Sequence, residues 1–233
     1  MKFKNEIWAL IPARSGSKSI INKNITIVKK KPLIAHTLIF CNQISFFKKI
    51  IFSSDSIKYL NIAKKYNKKC IFHLRPKKFA KDKSTDLDVF KNFLKECKKK
   101  KIKLPKYFAH MRPTTPFRLK KTIIAIIKNF IKKEKNFSSL RSVSRMPNPS
   151  FKTFIIKNKK LCSITNNDYN LDKYNLPKEM FKSTYVPNGY IDIIKTENLM
   201  NNKFHGNKVM PIIIEENVIE IDSKVQLKML NKT

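Results

Sequence analysis

The stretch EIWALIPARSGSKSIINKN, residues 6–24, joins an apolar run to a polar and cationic loop. The apolar run ends at Pro12 and Ala13, which predicts a short buried strand over residues 6–13. Hydroxylated and basic side chains follow from Arg14 to Lys18, and we expect Gly16 to supply one tight turn among them. This order predicts a strand whose carboxyl end opens into a loop able to hold an anion, although a plain strand-to-helix loop would look similar.

Strand-like and helix-like runs alternate through the first two thirds of the chain. Short apolar runs bounded by polar residues recur, with amphipathic runs of helical period between them. The predicted strands cover residues 6–13, 48–55, 70–76, 106–113 and 138–146, and the predicted helices cover residues 31–44, 56–66, 84–100 and 119–135. Such alternation predicts an α/β fold, with a Rossmann-like, mostly parallel sheet flanked by helices.

The pattern changes near Asn148. Residues 151–165 predict a hairpin that turns at Asn158, and a polar, irregular run follows. We therefore expect residues 150–187 to form a small β-rich insertion that projects from the sheet. The α/β core is then expected over residues 1–149 and 188–233.

The last third returns to apolar runs. Residues 188–195 predict a strand, residues 209–222 contain strand-like runs, and residues 223–232 predict a closing helix. Glu220 and Asp222 lie two apart on the predicted strand and would share one face. Two such carboxylates can hold Mg²⁺ against a phosphate, but edge-strand acids that face solvent are the alternative.

Polar residues follow each predicted strand of the first two thirds. They occupy residues 14–18, 53–55, 75–76 and 112–118. Ligands of open α/β sheets bind beyond the carboxyl ends of the strands. We therefore predict that these four segments converge on one edge of the sheet.

The formal net charge of +35 first suggests a nucleic-acid-binding protein. Only six of the 51 basic residues are arginines, and the lysines are scattered along the whole chain. A surface that follows a phosphate backbone usually clusters arginine as well as lysine. We therefore expect no dedicated nucleic-acid face, and a basic nucleic-acid-binding protein remains the non-enzyme alternative.

Four cysteines are far apart, with no C-x-x-C pair. This spacing argues against a zinc site and a disulfide framework, and it predicts buried free thiols. The first apolar run is too short for a signal segment, and the apolar run at residues 122–131 is interrupted by Lys128. We expect a soluble, cytoplasmic protein without a membrane partner.

The segment HMRPTTPFR, residues 110–118, leaves two readings open. Its threonines and arginines could face a ligand, or Thr115 could start the next helix while Arg118 is solvated. Asp88 follows Thr85 at the spacing of a helix capping box, which favours a structural role. No histidine pairs with a serine or cysteine in a nucleophile arrangement, so chemistry based on positioning, cations and metal is favoured.

Taken together, these motifs resemble the acylneuraminate cytidylyltransferases, the CMP–sialic acid synthetase family. IPARSGSKSIINKN, KPLIAHTL, IIFSSD, FHLRP, AKDKSTDLDV, RPTTPFR, NGYIDI and IEID occur in the family's order and cover nearly the whole chain. The resemblance implies transfer of CMP from CTP to the anomeric hydroxyl of a nine-carbon keto-sugar acid, a nonulosonate, with release of pyrophosphate. CMP-Kdo synthetase, whose sugar has eight carbons, is the alternative enzyme.

The resemblance also implies roles for individual residues. The nucleotide would be held by Arg14, Ser15, Gly16, Ser17, Lys18, Lys23, Asn24, Arg75 and Ser84. The sugar would contact Arg112, Thr114, Thr115, Asn188 and Gly189. Mg²⁺ would be held by Glu220 and Asp222, and the cations that act in catalysis would be Arg14, Lys18 and Arg112.

Two positions depart from the family pattern. Arg112 stands where relatives that act on N-acetylneuraminate usually have glutamine, so a legionaminic- or pseudaminic-type acceptor is also compatible. No arginine follows Arg145, so Lys152, Lys182 or Arg112 would have to bind the sugar carboxylate. Many relatives are dimers, and residues 150–187 are the expected interface of a homodimer.

Overall fold

The computed structural model describes residues 7–232, so residue 6 of the first predicted strand and the ends of the predicted core lie outside it. The strands are β1 (Ile7–Pro12), β2 (Ile27–Val28), β3 (Lys31–Pro32), β4 (Phe47–Ser54), β5 (Ile71–Leu74), β6 (Tyr107–His110), β7 (Ser139–Arg145), β8 (Phe154–Lys157), β9 (Lys160–Ser163), β10 (Tyr185–Lys195) and β11 (Val209–Ile213). The α-helices are α1 (Leu33–Asn42), α2 (Ile57–Tyr66), α3 (Asp86–Lys99), α4 (Lys120–Lys133), α5 (Thr196–Met200) and α6 (Lys224–Lys232).

Seven of the described strands form one sheet in the order β11-β7-β10-β6-β1-β4-β5. The pairs β1–β4, β1–β6, β4–β5 and β7–β11 are parallel. β10 runs antiparallel to both of its neighbours, β6 and β7. The predicted α/β fold with a mostly parallel sheet is confirmed, and β10 is its reversed strand.

The central strand β1 is buried on both faces, which explains its continuous apolar sequence. Ile7, Ala9 and Ile11 pack on one face with residues of α1, α2 and α4. Trp8 and Leu10 point to the other face, where they pack with residues of α3 and α5. The alternation of side chains along a strand therefore divides one apolar run between two cores.

The capping box predicted at the start of α3 is confirmed. The Thr85 hydroxyl accepts from the Asp88 backbone N–H, and the Asp88 carboxylate accepts from the Thr85 backbone N–H at 2.8 Å. These bonds satisfy donors that the first helical turn leaves unpaired. The box fixes where α3 begins.

The predicted hairpin after residue 150 is present as β8 and β9, which form a separate two-stranded sheet. Asn158 and Lys159 connect the two strands with φ values of 52° and 61°. Asparagine adopts such left-handed conformations more readily than most residues, which explains the turn at this position.

The prediction of strand-like runs over residues 209–222 is only partly right. β11 ends at Ile213, and residues 214–223 have no regular secondary structure. This segment is anchored instead by Ile221, which is fully buried and whose backbone N–H donates to the Thr114 carbonyl at 2.8 Å. Glu220 and Asp222 therefore flank a buried anchor in a loop, and their predicted place on a strand is wrong.

All four cysteines are buried free thiols, as predicted. Burial raises the pKa of Cys41 and of Cys70 to about 12 in each case, which keeps both in the unreactive thiol form. Among the helices described over residues 7–232, none has the length and apolar character that a membrane span requires.

Candidate active site

A cleft of about 520 Å³ opens where β1, β5 and β6 end. Arg14, Arg75 and Arg112 follow these strands and all line the cleft, so the predicted convergence is confirmed for them. The other predicted site residues that line it are Ser17, Lys18, Lys23, Asn24, Ser84 and Thr114. A concave surface with this many positive side chains favours a ligand that carries several negative charges.

Asp55 holds the loop that follows β1. The Ser15 backbone N–H donates to Asp55 Oδ1 at 2.9 Å, and the Ser15 hydroxyl donates to Asp55 Oδ2 at 2.7 Å. The buried Asn24 side chain donates to the Arg14 carbonyl at 2.9 Å. Ser15 and Asn24 therefore set the shape of the loop, whereas Arg14 and Lys18 carry its charge.

Gly16 is not required by the conformation of this loop. A Cβ placed on Gly16 would meet no other atom within 4 Å, and its φ is not positive. The expected tight turn is present, because the Ser17 backbone N–H donates to the Ser15 carbonyl at 3.1 Å across Gly16, but its conformation does not require glycine. The residue is exposed, and a side chain there would extend into open space.

Asp82 pairs with both cations of the loop. Its Oδ1 lies 3.0 Å from Arg14 Nη1, and its Oδ2 lies 2.6 Å from Lys18 Nζ. The Lys18 ammonium, together with the Arg14 guanidinium, holds the pKa of Asp82 below its usual value. One exposed carboxylate thus bridges the two positive groups that we expected to hold phosphate.

Arg75 and Ser84 line the same cleft as the loop after β1. Arg75 is 4% exposed, and burial lowers the pKa of its guanidinium despite the nearby Asp55 and Asp86. The Ser84 hydroxyl donates to the Lys78 carbonyl at 3.1 Å and accepts from the Lys81 backbone N–H at 3.0 Å. Ser84 therefore closes the loop that carries Asp82.

The segment after β6 fits neither reading fully: the first is right for Arg112 and Thr114, and the second is wrong because α4 begins at Lys120 and Thr115 and Arg118 are both buried. Arg112 and Thr114 line the cleft, but the Thr115 hydroxyl is buried and donates to the Asn188 carbonyl at 3.3 Å. Arg118 is not among the residues that line the cleft, and it is only 8% exposed, so it is not solvated either. Its guanidinium donates to the carbonyls of Tyr190 at 2.7 Å, Arg112 at 2.8 Å and Gly189 at 3.2 Å, and to the Thr37 hydroxyl at 3.2 Å.

Asn188 and Gly189 stand behind the cleft wall formed by this segment. The Asn188 side chain donates to the Ser144 hydroxyl at 3.0 Å and accepts from the Tyr190 backbone N–H at 3.1 Å. Gly189 has a φ of +65°, and a Cβ there would lie 2.8 Å from Thr115 Oγ1 and 3.3 Å from Glu220 Oε1. A glycine at 189 allows the two segments to pack this closely.

We expect the two glycines to respond differently to alanine. Gly16→Ala should change the free energy of unfolding by less than about 0.5 kcal/mol, because it adds a methyl group in open space. Gly189→Ala should lower it by about 1 to 3 kcal/mol, because the new Cβ clashes and the positive φ is strained. Urea unfolding of both variants tests this, and equal losses would contradict the assigned packing.

Glu220 and Asp222 come close together although no strand carries them. Glu220 Oε1 lies 3.5 Å from the Thr114 hydroxyl, at the limit for a hydrogen bond. Burial raises the pKa of Glu220, and the nearby Asp222 raises it further. Asp222 Oδ1 is bound by Lys23 Nζ at 2.6 Å, so this pair connects the acidic residues to the cleft wall.

Several residues around the cleft were not identified from the sequence. Asp55 lies in the predicted rim segment 53–55, and its bonds to Ser15 confirm that this segment meets the first loop, but its role in holding Ser15 was not predicted. Asp82 lies in the loop before α3 and Asp86 in the first turn of α3, where acids are commonly structural. Their pairing with Arg14 and Arg112 depends on the fold and has no local signal in the sequence.

Comparison with known proteins shows what the chain as a whole is similar to. The family model described as cytidylyltransferase matches residues 8–182. An N-acylneuraminate cytidylyltransferase of Escherichia coli is 41% identical over 91 residues, which cover 39% of this chain and 21% of that protein. A CMP-N,N'-diacetyllegionaminic acid synthase of Campylobacter jejuni is 36% identical over 89 residues, which cover 38% of this chain and 37% of that protein. The matched segments thus span well under half of these relatives.

A solved structure shares the fold over almost its whole length. It is a CMP:2-keto-3-deoxy-manno-octonic acid synthetase complexed with CTP, with a TM-score of 0.68 over 97% of both chains. Its sequence identity to this chain is 12%, so the likeness concerns the fold.

Proposed function

Because the chain belongs to the cytidylyltransferase family, we propose that it is a CMP-nonulosonate synthetase. It would transfer CMP from CTP to the anomeric hydroxyl of a sialic-acid-like sugar acid and release pyrophosphate. The observation that carries this proposal is the cleft in which Arg14, Lys18, Arg75 and Arg112 meet at the carboxyl edge of the sheet. The resemblance of its motifs to the acylneuraminate branch agrees with the names of the relatives.

The reaction needs positioned cations more than a covalent intermediate. The anomeric oxygen forms a bond to the α-phosphorus of CTP, the bond to the β-phosphate oxygen breaks, and the hydroxyl proton leaves to solvent. Negative charge builds up on the departing pyrophosphate. Arg14 and Lys18 would neutralise it, while Arg75 and Ser84 would contact the nucleotide and Ser17 would donate a hydroxyl hydrogen bond.

The loop conformation would depend on Ser15 and Asn24 through the hydrogen bonds described above. The exposed backbone at Gly16 would let a phosphate approach closely, since no side chain covers it. Lys23, 13% exposed in its side chain, would lie between the nucleotide and the acidic residues.

Glu220 and Asp222 suit Mg²⁺ by the chemistry of their donors. Mg²⁺ prefers oxygen ligands and is commonly held by one or two carboxylates together with substrate phosphates. Here two carboxylates lie beside a cationic cleft, and Lys23 already bonds one of them. When bound, Mg²⁺ would neutralise phosphate charge, and Glu220 and Asp222 would hold it.

The sugar side of the cleft would be formed by Arg112 and Thr114, with Thr115, Asn188 and Gly189 as the buried support behind them. The names of the relatives point to neuraminic-, legionaminic- or pseudaminic-type acceptors. The shared fold keeps CMP-Kdo synthetase as the second candidate.

A substrate panel tests the proposal. Purified protein receives CTP, Mg²⁺ and one of several acids: N-acetylneuraminic, legionaminic, pseudaminic or Kdo. We expect pyrophosphate release with a nine-carbon acid. Release with Kdo alone would favour the second candidate. Absence of release with every acid would contradict both.

Asp82 is expected to compete with CTP for Arg14 and Lys18, since all three groups already form ion pairs. Asp82→Asn should therefore lower the Kd for CTP by about three- to tenfold. The neutral amide binds the two cations less strongly than the carboxylate does, so it competes less with the phosphates of CTP. Calorimetry at fixed ionic strength measures it. Glu197→Gln, which removes an exposed negative charge in α5, is the control for net charge. Weaker CTP binding by Asp82→Asn than by this control would contradict the competition.

We further propose a homodimer that uses residues 150–187, a cytoplasmic location, and no nucleic-acid or membrane partner. The buried free thiols are compatible with a reducing compartment. A basic nucleic-acid-binding protein would instead show tight, steeply salt-dependent binding of RNA or DNA that survives loss of Arg14 and Lys18. Sedimentation analysis and a salt titration with RNA test these proposals.

A further inference from the structure

A cluster of charged side chains lies behind Arg112. Arg112 Nη2 is 3.2 Å from Asp86 Oδ2 at the start of α3 and 3.9 Å from Asp192 Oδ2 on β10. The Arg112 side chain is 26% exposed and Asp192 only 5%. The guanidinium therefore has a buried carboxylate behind it and a half-exposed one beside it, and it still borders the cleft.

His110 separates the two carboxylates. Its Nε2 lies 3.7 Å from Asp86 Oδ1, and its Nδ1 lies 3.6 Å from Asp192 Oδ2. Both distances are too long for a hydrogen bond, and within residues 7–232 neither ring nitrogen has another partner. Phe90 and Phe204 pack edge-on against the ring, which keeps it in place as a spacer.

Arg141 completes the cluster from the side away from the cleft. Its Nε lies 3.8 Å from Asp192 Oδ1, and its Nη1 lies 3.2 Å from His205 Nε2. Burial lowers the pKa of His205, which favours the neutral ring and leaves a nitrogen to accept from Arg141. Burial alone would raise the pKa of Asp192, but His110, Arg112 and Arg141 together lower it, so Asp192 stays ionised.

The charges of this cluster balance without any ligand, because two arginines face two aspartates. Paired and packed charged groups hold the Arg112 side chain in one orientation, whereas a single exposed arginine is free to rotate. Arginine can bind a carboxylate through two parallel N–H groups, but only when its plane is correctly oriented. Asp192 and Asp86 both contact Nη2, so Nη1 and Nε remain for a ligand at the cleft.

We propose that Asp192 and Asp86 are positioning residues that orient Arg112 to bind the carboxylate of the acceptor sugar acid. The proposal rests on the proposed function and adds the residues that make Arg112 specific for that substrate. His110 keeps the two aspartates apart, and Arg141 holds Asp192 from behind.

A double-mutant cycle tests the positioning. Asp192→Asn, Arg112→Gln and the double variant are compared for KM and kcat with both substrates. We expect Asp192→Asn to raise the KM for the sugar acid about tenfold and Arg112→Gln to raise it about 30-fold, with the KM for CTP changed less than about twofold. The double variant should match Arg112→Gln alone, because the aspartate acts only through the arginine.

The control is Glu197→Gln, which should leave both KM values unchanged. Asp86→Asn provides a second variant if Asp192→Asn fails to fold. It should also raise the KM for the sugar acid, and this effect should disappear in the Arg112→Gln background. In an active enzyme, additive effects, or an equal rise of the KM for CTP, would overturn this inference alone. Inactivity of the wild-type protein with every sugar acid would overturn the proposed function, and this inference with it.

Discussion

Replacement of Arg118 by methionine is expected to lower the free energy of unfolding by about 3 to 5 kcal/mol. The guanidinium donates to the buried carbonyls of Gly189 and Tyr190, to the partly buried carbonyl of Arg112 and to the buried hydroxyl of Thr37. Methionine fills a similar volume but donates no hydrogen bond. The loss therefore arises from polar groups that stay buried without a partner.

The effect should extend to the site, because Arg118 joins the segment that carries Arg112 to the turn at Gly189. Burial lowers the pKa of Arg118 to about 10, so it stays charged at neutral pH. Urea unfolding at pH 7.5 measures the change. Arg145→Met is the matched control, because Arg145 is exposed and donates one hydrogen bond, to Ser183. A loss equal to that of the control would show that the buried contacts of Arg118 contribute nothing.

Arg14→Ala is expected to lower kcat/KM for CTP by about 100- to 1000-fold. The guanidinium follows β1 at the cleft, and its one ion-pair partner among the described residues, Asp82, is exposed and displaceable. Loss of Arg14 removes charge stabilisation for the departing pyrophosphate. Most of the decrease should therefore appear in kcat.

Lys132→Ala is the control for this variant, since it removes one positive charge from an exposed position on α4. It should retain wild-type kcat/KM within about twofold. Arg14→Lys should recover part of the activity, because it keeps the charge but not the fork of N–H groups. If Arg14→Ala and Lys132→Ala turn over CTP equally, Arg14 has no role in the reaction.

The sheet was predictable because its signal is local and repeated. The apolar run at residues 7–12 has a parallel strand's continuous hydrophobic pattern, and the helices between the strands have clear amphipathic periods. The loop that carries Glu220 was not predictable in this way. Its isoleucines alternate as they would in a strand, but its backbone is held by a hydrogen bond to Thr114, which is far away in sequence. The local spacing of apolar residues carries no information about such a distant contact.

The positive half of the site was predictable from the positions after strands, where Arg14, Arg75 and Arg112 stand. The acidic half was not. Asp82 and Asp192 lie 68 and 80 residues from the arginines Arg14 and Arg112 that they pair with, and nothing near them in sequence indicates such partners. Long-range ion pairs depend on the fold, so they can be identified only from the three-dimensional arrangement of the strands.

The most direct test of the account follows the atoms of the transferred bond. CTP and Mg²⁺ are mixed with the protein and the accepted sugar acid, enriched in ¹³C at its anomeric carbon, and the product is followed by ³¹P NMR. The account predicts a new monophosphate diester signal split by coupling to the ¹³C, with pyrophosphate formed in equal amount. Pyrophosphate or CMP without any signal coupled to the anomeric carbon would contradict it.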